Sequence, residues 1–186
     1  MTALTPANQL TLLRMLLIPA FVILVVYGHL GWALVVFATA GITDALDGLI
    51  ARRSGQKTSL GAWLDPMADK LLLVTTFVVL TLPGLDLANR FPIWLTVCII
   101  SRDVVIVLTV AIVNLAIGRR MFRPSIFGKI ATATYIVTAV AAMLFNYLRF
   151  HSVVVDVGVY CSLTITIVSS LHYIWHAAQI IDSPGV

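Results

Sequence analysis

Charge is what this 186-residue chain has least of. Charged residues make up 11% of the sequence and hydrophobic residues 60%, whereas a soluble domain has roughly 25% charged and roughly 45–50% apolar residues. So apolar a chain also lacks the composition of a disordered protein. The sequence therefore excludes an ordinary soluble domain and an intrinsically disordered chain, and it predicts a membrane protein.

Glutamate is absent altogether, so aspartate supplies every acidic side chain. Eight Asp residues stand against twelve Lys and Arg residues, which leaves a formal net charge of +4. There is too little polar surface for nucleic-acid binding, so we expect the positive balance to serve contact with anionic lipid headgroups. Four of the eight Asp residues fall within residues 44–69, and this window carries the functional prediction.

Cysteine is scarce, and Cys98 and Cys161 lie far apart within apolar segments. Their separation does not match the spacing of metal ligands, so we expect two buried thiols. The first nine residues contain no Lys or Arg and therefore lack the basic start of a secretory signal peptide. We expect the first apolar segment to be retained.

Six apolar segments reach the length of about 20 residues that a helix needs to cross a bilayer. They run over residues 8–28, 31–53, 59–82, 92–117, 125–146 and 153–180. Short connections separate them, as in a compact up-and-down bundle, and no repeat or second domain interrupts the chain. The sequence predicts an all-α integral membrane protein with six transmembrane helices in a single domain over residues 1–186.

Basic residues in the predicted loops indicate the orientation. The second and fourth loops hold six Arg and Lys residues, and the loops on the opposite side hold two, Arg90 and Arg149. The six are Arg52, Arg53, Lys57, Arg119, Arg120 and Arg123. By the positive-inside rule the second and fourth loops, and with them both termini, face the cytoplasm.

The four Asp residues of the 44–69 window follow helical spacing. Asp44 and Asp47 lie at i and i+3 of the second predicted helix. Asp65 and Asp69 lie at i and i+4 of the third, so each pair shares one helix face. The short connection makes the two helices antiparallel neighbours, and Asp44 lies about 12 Å before Arg52 along its helix. We expect four carboxylates to converge in the cytoplasmic half of the membrane.

Carboxylates that lie this close inside a membrane require compensation. Neighbouring like charges raise one another's pKa, and burial costs on the order of several kcal/mol for each unpaired charge. Nearby Arg and Lys side chains neutralise part of the charge, and divalent cations do so more economically because hard cations prefer oxygen ligands. Gly48, Ala51 and Gly61 leave room for a ligand, although tight helix packing explains such small residues equally well.

The same residues match, at every defined position, the signature of the CDP-alcohol phosphotransferase family. That signature, D-x2-D-G-x2-A-R-x8-G-x3-D-x3-D, runs from Asp44 to Asp69. The six predicted helices and the stretches 8–14, 101–103 and 125–129 also resemble the family, in particular its phosphatidylglycerophosphate synthases and CDP-diacylglycerol-dependent cardiolipin synthases. The resemblance thus covers most of the chain.

The resemblance implies an enzyme that moves the phosphatidyl group of CDP-diacylglycerol to an alcohol and releases CMP. The implied ligands of two divalent cations, Mg²⁺ or Mn²⁺, are Asp44, Asp47, Asp65 and Asp69. The implied CDP-binding residues are Asp44, Gly48, Ala51, Arg52 and Gly61. Asp69 would also act as general base on the acceptor hydroxyl, and such enzymes typically form homodimers.

The acceptor pocket is predicted from the remaining cations. A phosphate-bearing acceptor needs fixed positive charge, and Arg102 lies in the middle of the fourth predicted helix, where a charge must face protein or a water-filled cavity. Lys129 follows about one turn into the fifth helix. We predict that Arg102 and Lys129, with Arg119 and Arg123 nearby, bind the acceptor phosphate.

Each of these cations has a structural alternative. Arg102 pairs with neighbouring Asp103 or with an Asp of the motif. Lys129 and Arg14 extend to the lipid headgroups, as long basic side chains near helix ends do. The arginines of the fourth loop then set the topology and bind no ligand.

The leading prediction is a membrane phosphatidyltransferase that makes phosphatidylglycerophosphate from CDP-diacylglycerol and glycerol 3-phosphate. The alternatives keep the donor and change the acceptor to phosphatidylglycerol, which gives cardiolipin, or to inositol phosphate. A divalent-cation carrier or channel is an alternative of another class, because carboxylates inside the membrane also line ion pathways. Against it, the four Asp residues cluster at one end of the helices, and the Gly and Arg of the signature have no role in conduction.

Overall fold

The computed structural model describes residues 6–54, 61–117 and 125–182, and some side chains within them, those of residues 44–54 and 61–66 included, lie outside the description. The described residues form six α-helices. They are α1 (Pro6–Val26), α2 (Leu30–Ser54), α3 (Gly61–Thr81), α4 (Ile93–Ile117), α5 (Ile126–Tyr147) and α6 (Val153–Asp182). Each helix begins and ends within two residues of its predicted bounds, so the predicted order of six helices is confirmed.

A glycine turn joins α1 to α2. Gly28 has a φ of 77°, a left-handed conformation that glycine adopts without steric cost. Its N–H donates to the carbonyl of Val25 at 3.0 Å, and the N–H of His29 donates to that of Leu24 at 2.8 Å. This pair of bonds satisfies carbonyls that the helix end leaves open. The chain reverses here, and α1 and α2 pack against each other.

The end of α5 uses the same turn with an arginine in place of glycine. Arg149 has a φ of 57°, and its N–H donates to the carbonyl of Asn146 at 3.1 Å. The N–H of Phe150 donates to Phe145 at 3.3 Å. The buried Asn146 side chain in turn accepts from the N–H of Asn89 at 2.7 Å and donates to its carbonyl at 3.1 Å. The loop after α3 is thereby bonded to the last turn of α5.

Contacts divide the chain into two compact units. Unit 1 comprises Met1–Arg90 and Ala142–His151, and unit 2 comprises Phe91–Ala141 and Ser152–Val186. In unit 1, α1 packs against α2 and α3, and in unit 2, α4 packs against α6. The single domain expected from the sequence stays a prediction.

Close approach of α5 and α6 within unit 2 depends on a glycine. A Cβ added to Gly158 would lie 2.9 Å from the hydroxyl oxygen of Thr138, which leaves no room for a side chain. The Thr138 hydroxyl lies 3.3 Å from the carbonyl oxygen of Gly158 and 3.2 Å from the hydroxyl of Ser162. Small residues and hydroxyl hydrogen bonds are the usual means by which helices associate in membranes.

The helices expose apolar side chains along much of their length. Within the described residues, four segments are long and apolar enough to cross a membrane: Gln9–Val26, Ile93–Ile112, Ile126–Tyr147 and Val153–His176. Their exposed side chains include Leu16, Val107 and Leu171, an arrangement that favours lipid surroundings over water. The chain is an all-α membrane protein. Among the described side chains of α2, Leu30–Thr43 forms a shorter apolar segment.

The expectation of two buried thiols is wrong. Cys98 is half-buried and Cys161 is exposed, and neither forms a disulfide. Cys161 lies in the apolar segment Val153–His176. A thiol behaves as a small hydrophobic group, so exposure to lipid costs it little in a helix of this kind.

Candidate active site

The predicted carboxylate motif lies on α2 and α3, at the ends that adjoin the second loop. The backbone is helical from Asp44 to Ser54 and again from Gly61 to Asp69, so the i, i+3 and i, i+4 spacings are those of real helices. The predicted residues whose side chains lie outside the description are Asp44, Asp47, Gly48, Ala51, Arg52, Gly61 and Asp65. Arg119 and Arg123 lie outside the described residues altogether. Convergence of the four carboxylates stays a prediction.

Asp69, the predicted general base, pairs with a buried arginine of α1. Nη1 of Arg14 donates a hydrogen bond to Oδ1 of Asp69. The Arg14 side chain is 1% exposed and the Asp69 side chain 44% exposed. An unpaired guanidinium at such depth is strongly destabilising, so the pair neutralises a charge that unit 1 has taken out of solvent. The alternative in which Arg14 extends to lipid headgroups is wrong.

The pair constrains Asp69 as much as it neutralises Arg14. A charge-assisted hydrogen bond to a guanidinium fixes the direction of the carboxylate. The other part of the carboxylate surface stays accessible, since almost half of the side chain is exposed. Asp69 therefore combines a fixed orientation with an open side, which is what a general base or a metal ligand requires.

Arg102 forms a second buried ion pair, which belongs to unit 2. Its Nη1 donates to Oδ1 of Asp103 at 2.9 Å, and its Nη2 donates to Oγ of Ser169 at 2.8 Å. Its side chain is 8% exposed. The alternative in which Arg102 pairs with Asp103 is thus confirmed. A guanidinium has more N–H groups than these two bonds use, and within the described chain its Nε has no hydrogen-bond partner.

The first turn of α5 lies beside the Arg102 guanidinium. A Cβ added to Gly128 would lie 3.2 Å from Nη2 of Arg102 and 3.3 Å from Oγ of Ser125. Ser125 accepts a hydrogen bond from the N–H of Gly128 at 3.0 Å and so caps the start of the helix. Lys129, the next residue, is exposed. The structure therefore brings Arg102 together with the turn that carries Lys129.

A small cavity occurs at the same end of α5. It has a volume of about 130 Å³ and is lined by Ser125, His172, Tyr173 and His176. The His172 ring packs edge-on against Phe127 with 4.8 Å between ring centroids. Across the described parts of the chain, no three His, Cys, Asp or Glu side chains are grouped to hold a metal ion. His172 thus packs against an aromatic ring of α5.

Sequence reasoning missed Asp69 as the partner of Arg14 and Ser169 as the second partner of Arg102. A lone cation in an apolar helix signals a buried partner, but this signal does not say which helix supplies it. A weaker signal pointed to Ser169, because Ser162, Thr166 and Ser169 follow i, i+4, i+7 spacing and so share one face of α6. All three are buried in the structure.

Comparison with known proteins now identifies the family. Residues 4–172 match the family model of the CDP-alcohol phosphatidyltransferases. The chain belongs to this family, which is the one that its Asp motif resembles. It is an enzyme, a transferase of phospholipid biosynthesis with CDP-alcohol phosphatidyltransferase activity.

The relatives carry two different names. A protein of Mycobacterium tuberculosis named "Probable phosphatidylglycerophosphate synthase" is 35% identical over 93% of this chain and 81% of its own length. A Homo sapiens protein named "Cardiolipin synthase (CMP-forming)" is 35% identical over 77% of this chain and 52% of its own. A Streptomyces coelicolor protein of that name is 37% identical over 60% of this chain and 52% of its own. The names agree on the class of reaction and differ in the acceptor.

Proposed function

We propose that the protein transfers the phosphatidyl group of CDP-diacylglycerol to glycerol 3-phosphate, giving phosphatidylglycerophosphate and CMP. The observation that carries this choice is Arg102, a buried guanidinium of unit 2 with N–H groups that its two bonds do not use. Guanidinium groups are well suited to binding phosphate. The relative named as a probable phosphatidylglycerophosphate synthase supports the same acceptor, since the similarity covers 93% of this chain.

The reaction is a substitution at the phosphorus that carries the diacylglycerol. The hydroxyl oxygen of the acceptor forms the new P–O bond, and the P–O bond of the diphosphate to CMP breaks. CMP leaves with the electron pair of that bond. We assign the proton of the hydroxyl to Asp69, because its carboxylate is held by Arg14 and still partly exposed.

Divalent cations fit the donor set that the motif offers. Carboxylate oxygens are the ligands that Mg²⁺ and Mn²⁺ prefer, and the exposed part of Asp69 is accessible to an ion. The proposed ligands of two such ions are Asp44, Asp47, Asp65 and Asp69. When bound, the ions supply the positive charge that neutralises the diphosphate and its leaving group. The proposed CDP-binding residues are Asp44, Gly48, Ala51, Arg52 and Gly61.

The acceptor phosphate is assigned to the cations that the sequence singles out. Arg102 supplies a guanidinium fixed by two hydrogen bonds, and Lys129 supplies an exposed ammonium group from the first turn of α5. The N–H groups of a helix start add to the attraction for phosphate. Arg119 and Arg123 complete the proposed set.

A second candidate function is transfer to phosphatidylglycerol, which gives cardiolipin. The human and Streptomyces coelicolor relatives, named as cardiolipin synthases, favour it at 35% and 37% identity. The phosphate of phosphatidylglycerol is a diester with a single negative charge. A phosphate monoester carries a charge of about −1.5 to −2 near neutral pH, so a site with several fixed cations favours glycerol 3-phosphate.

We further propose that all six helices cross the membrane, with both termini and the active site on the cytoplasmic side and with two copies forming a homodimer. The distribution of basic residues supports the orientation. Single cysteines placed at Gln9 and His29, in a chain lacking Cys98 and Cys161, test it with a membrane-impermeant thiol reagent on right-side-out vesicles. Labelling at His29 without labelling at Gln9 is expected, and the reverse pattern contradicts the orientation.

The acceptor is tested with purified protein in lipid nanodiscs. Labelled CDP-diacylglycerol and Mg²⁺ or Mn²⁺ are supplied with glycerol 3-phosphate, phosphatidylglycerol or inositol phosphate in parallel reactions. Phosphatidylglycerophosphate and CMP are expected with glycerol 3-phosphate. If glycerol 3-phosphate is left unused while phosphatidylglycerol yields cardiolipin, the second candidate replaces the first.

A further inference from the structure

A row of buried hydroxyl groups lies along one face of α6 in unit 2. The hydroxyls are those of Ser162, Thr166 and Ser169, with side chains 0%, 2% and 0% exposed. Their partners across the helix interfaces are, in the same order, Thr138 at 3.2 Å, Tyr135 at 2.5 Å and Arg102 at 2.8 Å. Two of the three hydroxyls therefore bond to neutral groups of α5, and the third bonds to a charged group of α4.

Ser169 and Asp103 together determine the direction of the Arg102 guanidinium. Asp103 accepts from Nη1 at 2.9 Å, and Ser169 accepts from Nη2 at 2.8 Å. The guanidinium is planar and rigid, so contacts at both terminal nitrogens fix its plane. Asp103 alone contacts one nitrogen and leaves the plane free to turn about that contact.

The first turn of α5 restricts the position of the Arg102 guanidinium from another side. The backbone of Gly128 comes so close that an added Cβ would lie 3.2 Å from Nη2 of Arg102. The nitrogen that Ser169 holds is therefore the same nitrogen that lies next to α5. Loss of the Ser169 hydroxyl would free this nitrogen to turn away from the turn that carries Ser125 and Lys129.

We propose that Ser169 is a positioning residue for the acceptor site: its hydroxyl holds the Arg102 guanidinium in the orientation that receives the acceptor phosphate. This inference rests on the role of Arg102 in the proposed function and adds a residue that the signature motif does not contain. It predicts an effect on the phosphate-bearing acceptor alone, because the described partner of the Ser169 hydroxyl is Arg102, which is proposed to bind the acceptor phosphate.

The test compares two buried serines of α6. Ser169→Ala removes the hydroxyl that bonds to Arg102, and Ser162→Ala removes one that bonds to Thr138. A hydrogen bond to a charged group contributes enough that its loss changes binding by about tenfold. Ser169→Ala is therefore expected to raise the KM for glycerol 3-phosphate about tenfold, with the KM for CDP-diacylglycerol unchanged. Ser162→Ala is expected to leave both KM values unchanged.

Two further measurements separate positioning from damage to the fold. Ser169→Thr keeps a hydroxyl and is expected to restore most of the acceptor affinity. The apparent Tm of Ser169→Ala in detergent is expected to equal that of Ser162→Ala. An unchanged acceptor KM in Ser169→Ala, or the same rise in Ser162→Ala, overturns the inference.

A phosphate-binding experiment tests the role of Ser169 even if the proposed acceptor, glycerol 3-phosphate, is wrong. If the wild-type protein does not use glycerol 3-phosphate, the proposed acceptor has failed, and binding of inorganic phosphate is measured by calorimetry. Weaker phosphate binding by Ser169→Ala than by wild type and Ser162→Ala supports the positioning role. Equal binding by all three proteins, or no binding by wild type, overturns it.

Discussion

Arg14 in unit 1 and Arg102 in unit 2 are both buried inside apolar helices, and each forms an ion pair with an aspartate. Arg14 pairs with Asp69, which lies on another helix 55 residues further along the chain. Arg102 pairs with the next residue, Asp103, and reaches a different helix only through the hydroxyl of Ser169. The Arg14–Asp69 ion pair therefore links α1 to α3. The Arg102–Asp103 pair lies within α4, and the neutral hydroxyl of Ser169 links Arg102 to α6.

The two aspartates differ in exposure as well. The Asp69 side chain is 44% exposed, and the Asp103 side chain is 19% exposed. Asp69 is thus partly exposed, whereas Asp103 is largely covered. Similar ion pairs thus differ in which partner is the proposed functional group: in unit 1 the arginine orients the proposed general base, and in unit 2 the aspartate orients the arginine proposed to bind phosphate.

The largest effect on activity is expected from replacing Asp69 with Asn, and the same replacement at Asp103 is the matched control. Asp69→Asn removes the proposed proton acceptor and is expected to lower kcat about 10²- to 10⁴-fold. Asp103→Asn is expected to keep kcat within about tenfold of the wild-type value, because the amide oxygen still accepts a hydrogen bond from Arg102. The rate of CMP release measures both. Similar losses in the two variants would remove the distinction between the pairs.

Arg102→Ala is expected to act on the acceptor. Loss of hydrogen bonds from a charged group raises the KM for glycerol 3-phosphate by about 10- to 100-fold, while the KM for CDP-diacylglycerol stays nearly unchanged. Steady-state kinetics with each substrate varied in turn measures the difference. An equal rise for both substrates would contradict the acceptor role and leave Arg102 a structural residue.

Arg14→Met is expected to act on stability in addition to activity. Breaking a buried pair costs about 3–5 kcal/mol when the remaining charge is fully buried. Partial exposure lets water solvate Asp69, so we expect a loss of about 1–3 kcal/mol by the same principle. Denaturant unfolding in detergent micelles measures it, with Ser162→Ala as a control for loss of one buried polar contact. Wild-type stability in Arg14→Met would show that the pair is dispensable to the fold.

The smallest effect is expected at Arg149, whose ion pair with Asp86 is exposed at 3.6 Å. Arg149→Met removes this pair and is expected to leave the apparent Tm unchanged, since exposed pairs contribute little. Arg149→Gly also relieves the left-handed backbone conformation, and it is expected to stabilise the protein by about 1 kcal/mol. A destabilised Arg149→Gly would mean that the side chain contributes more than its conformation costs.

The hydropathy and spacing of residues close together in the sequence were enough to predict the helices and to recognise the Asp motif. Apolar segments of spanning length and the turn residues between them placed all six helices within two residues, because both signals depend on neighbours in sequence. The number of helices that cross the membrane is harder to predict, because the Asp and Arg residues of the motif lower the hydropathy of the second and third predicted helices. Exposure of Cys161 escaped the prediction because an apolar segment has the same composition whether it faces protein or lipid.

Sequence reasoning offered Asp103 as a partner of Arg102, but the partners on other helices were beyond it for another reason. Periodicity shows which residues share a face of one helix, but it does not show how that face is rotated toward a second helix. Asp69 as the partner of Arg14, and Ser169 as the partner of Arg102, depend on that rotation. The residue types of the candidate site and the pair Arg102–Asp103 were therefore predictable, whereas its contacts between helices were not.

The hydrogen bonds between Asn89 and Asn146 can form only late in the synthesis of the chain. Asn89 is buried, and its bonds to Asn146 and Phe150 join residues that the ribosome adds 57 and 61 positions later. Because chains are synthesised from the N-terminus, α1 to α3 are complete while this part of unit 1 has yet to be translated. A nascent chain halted before residue 142 thus carries an unfinished unit 1, and one halted after residue 151 carries all of it.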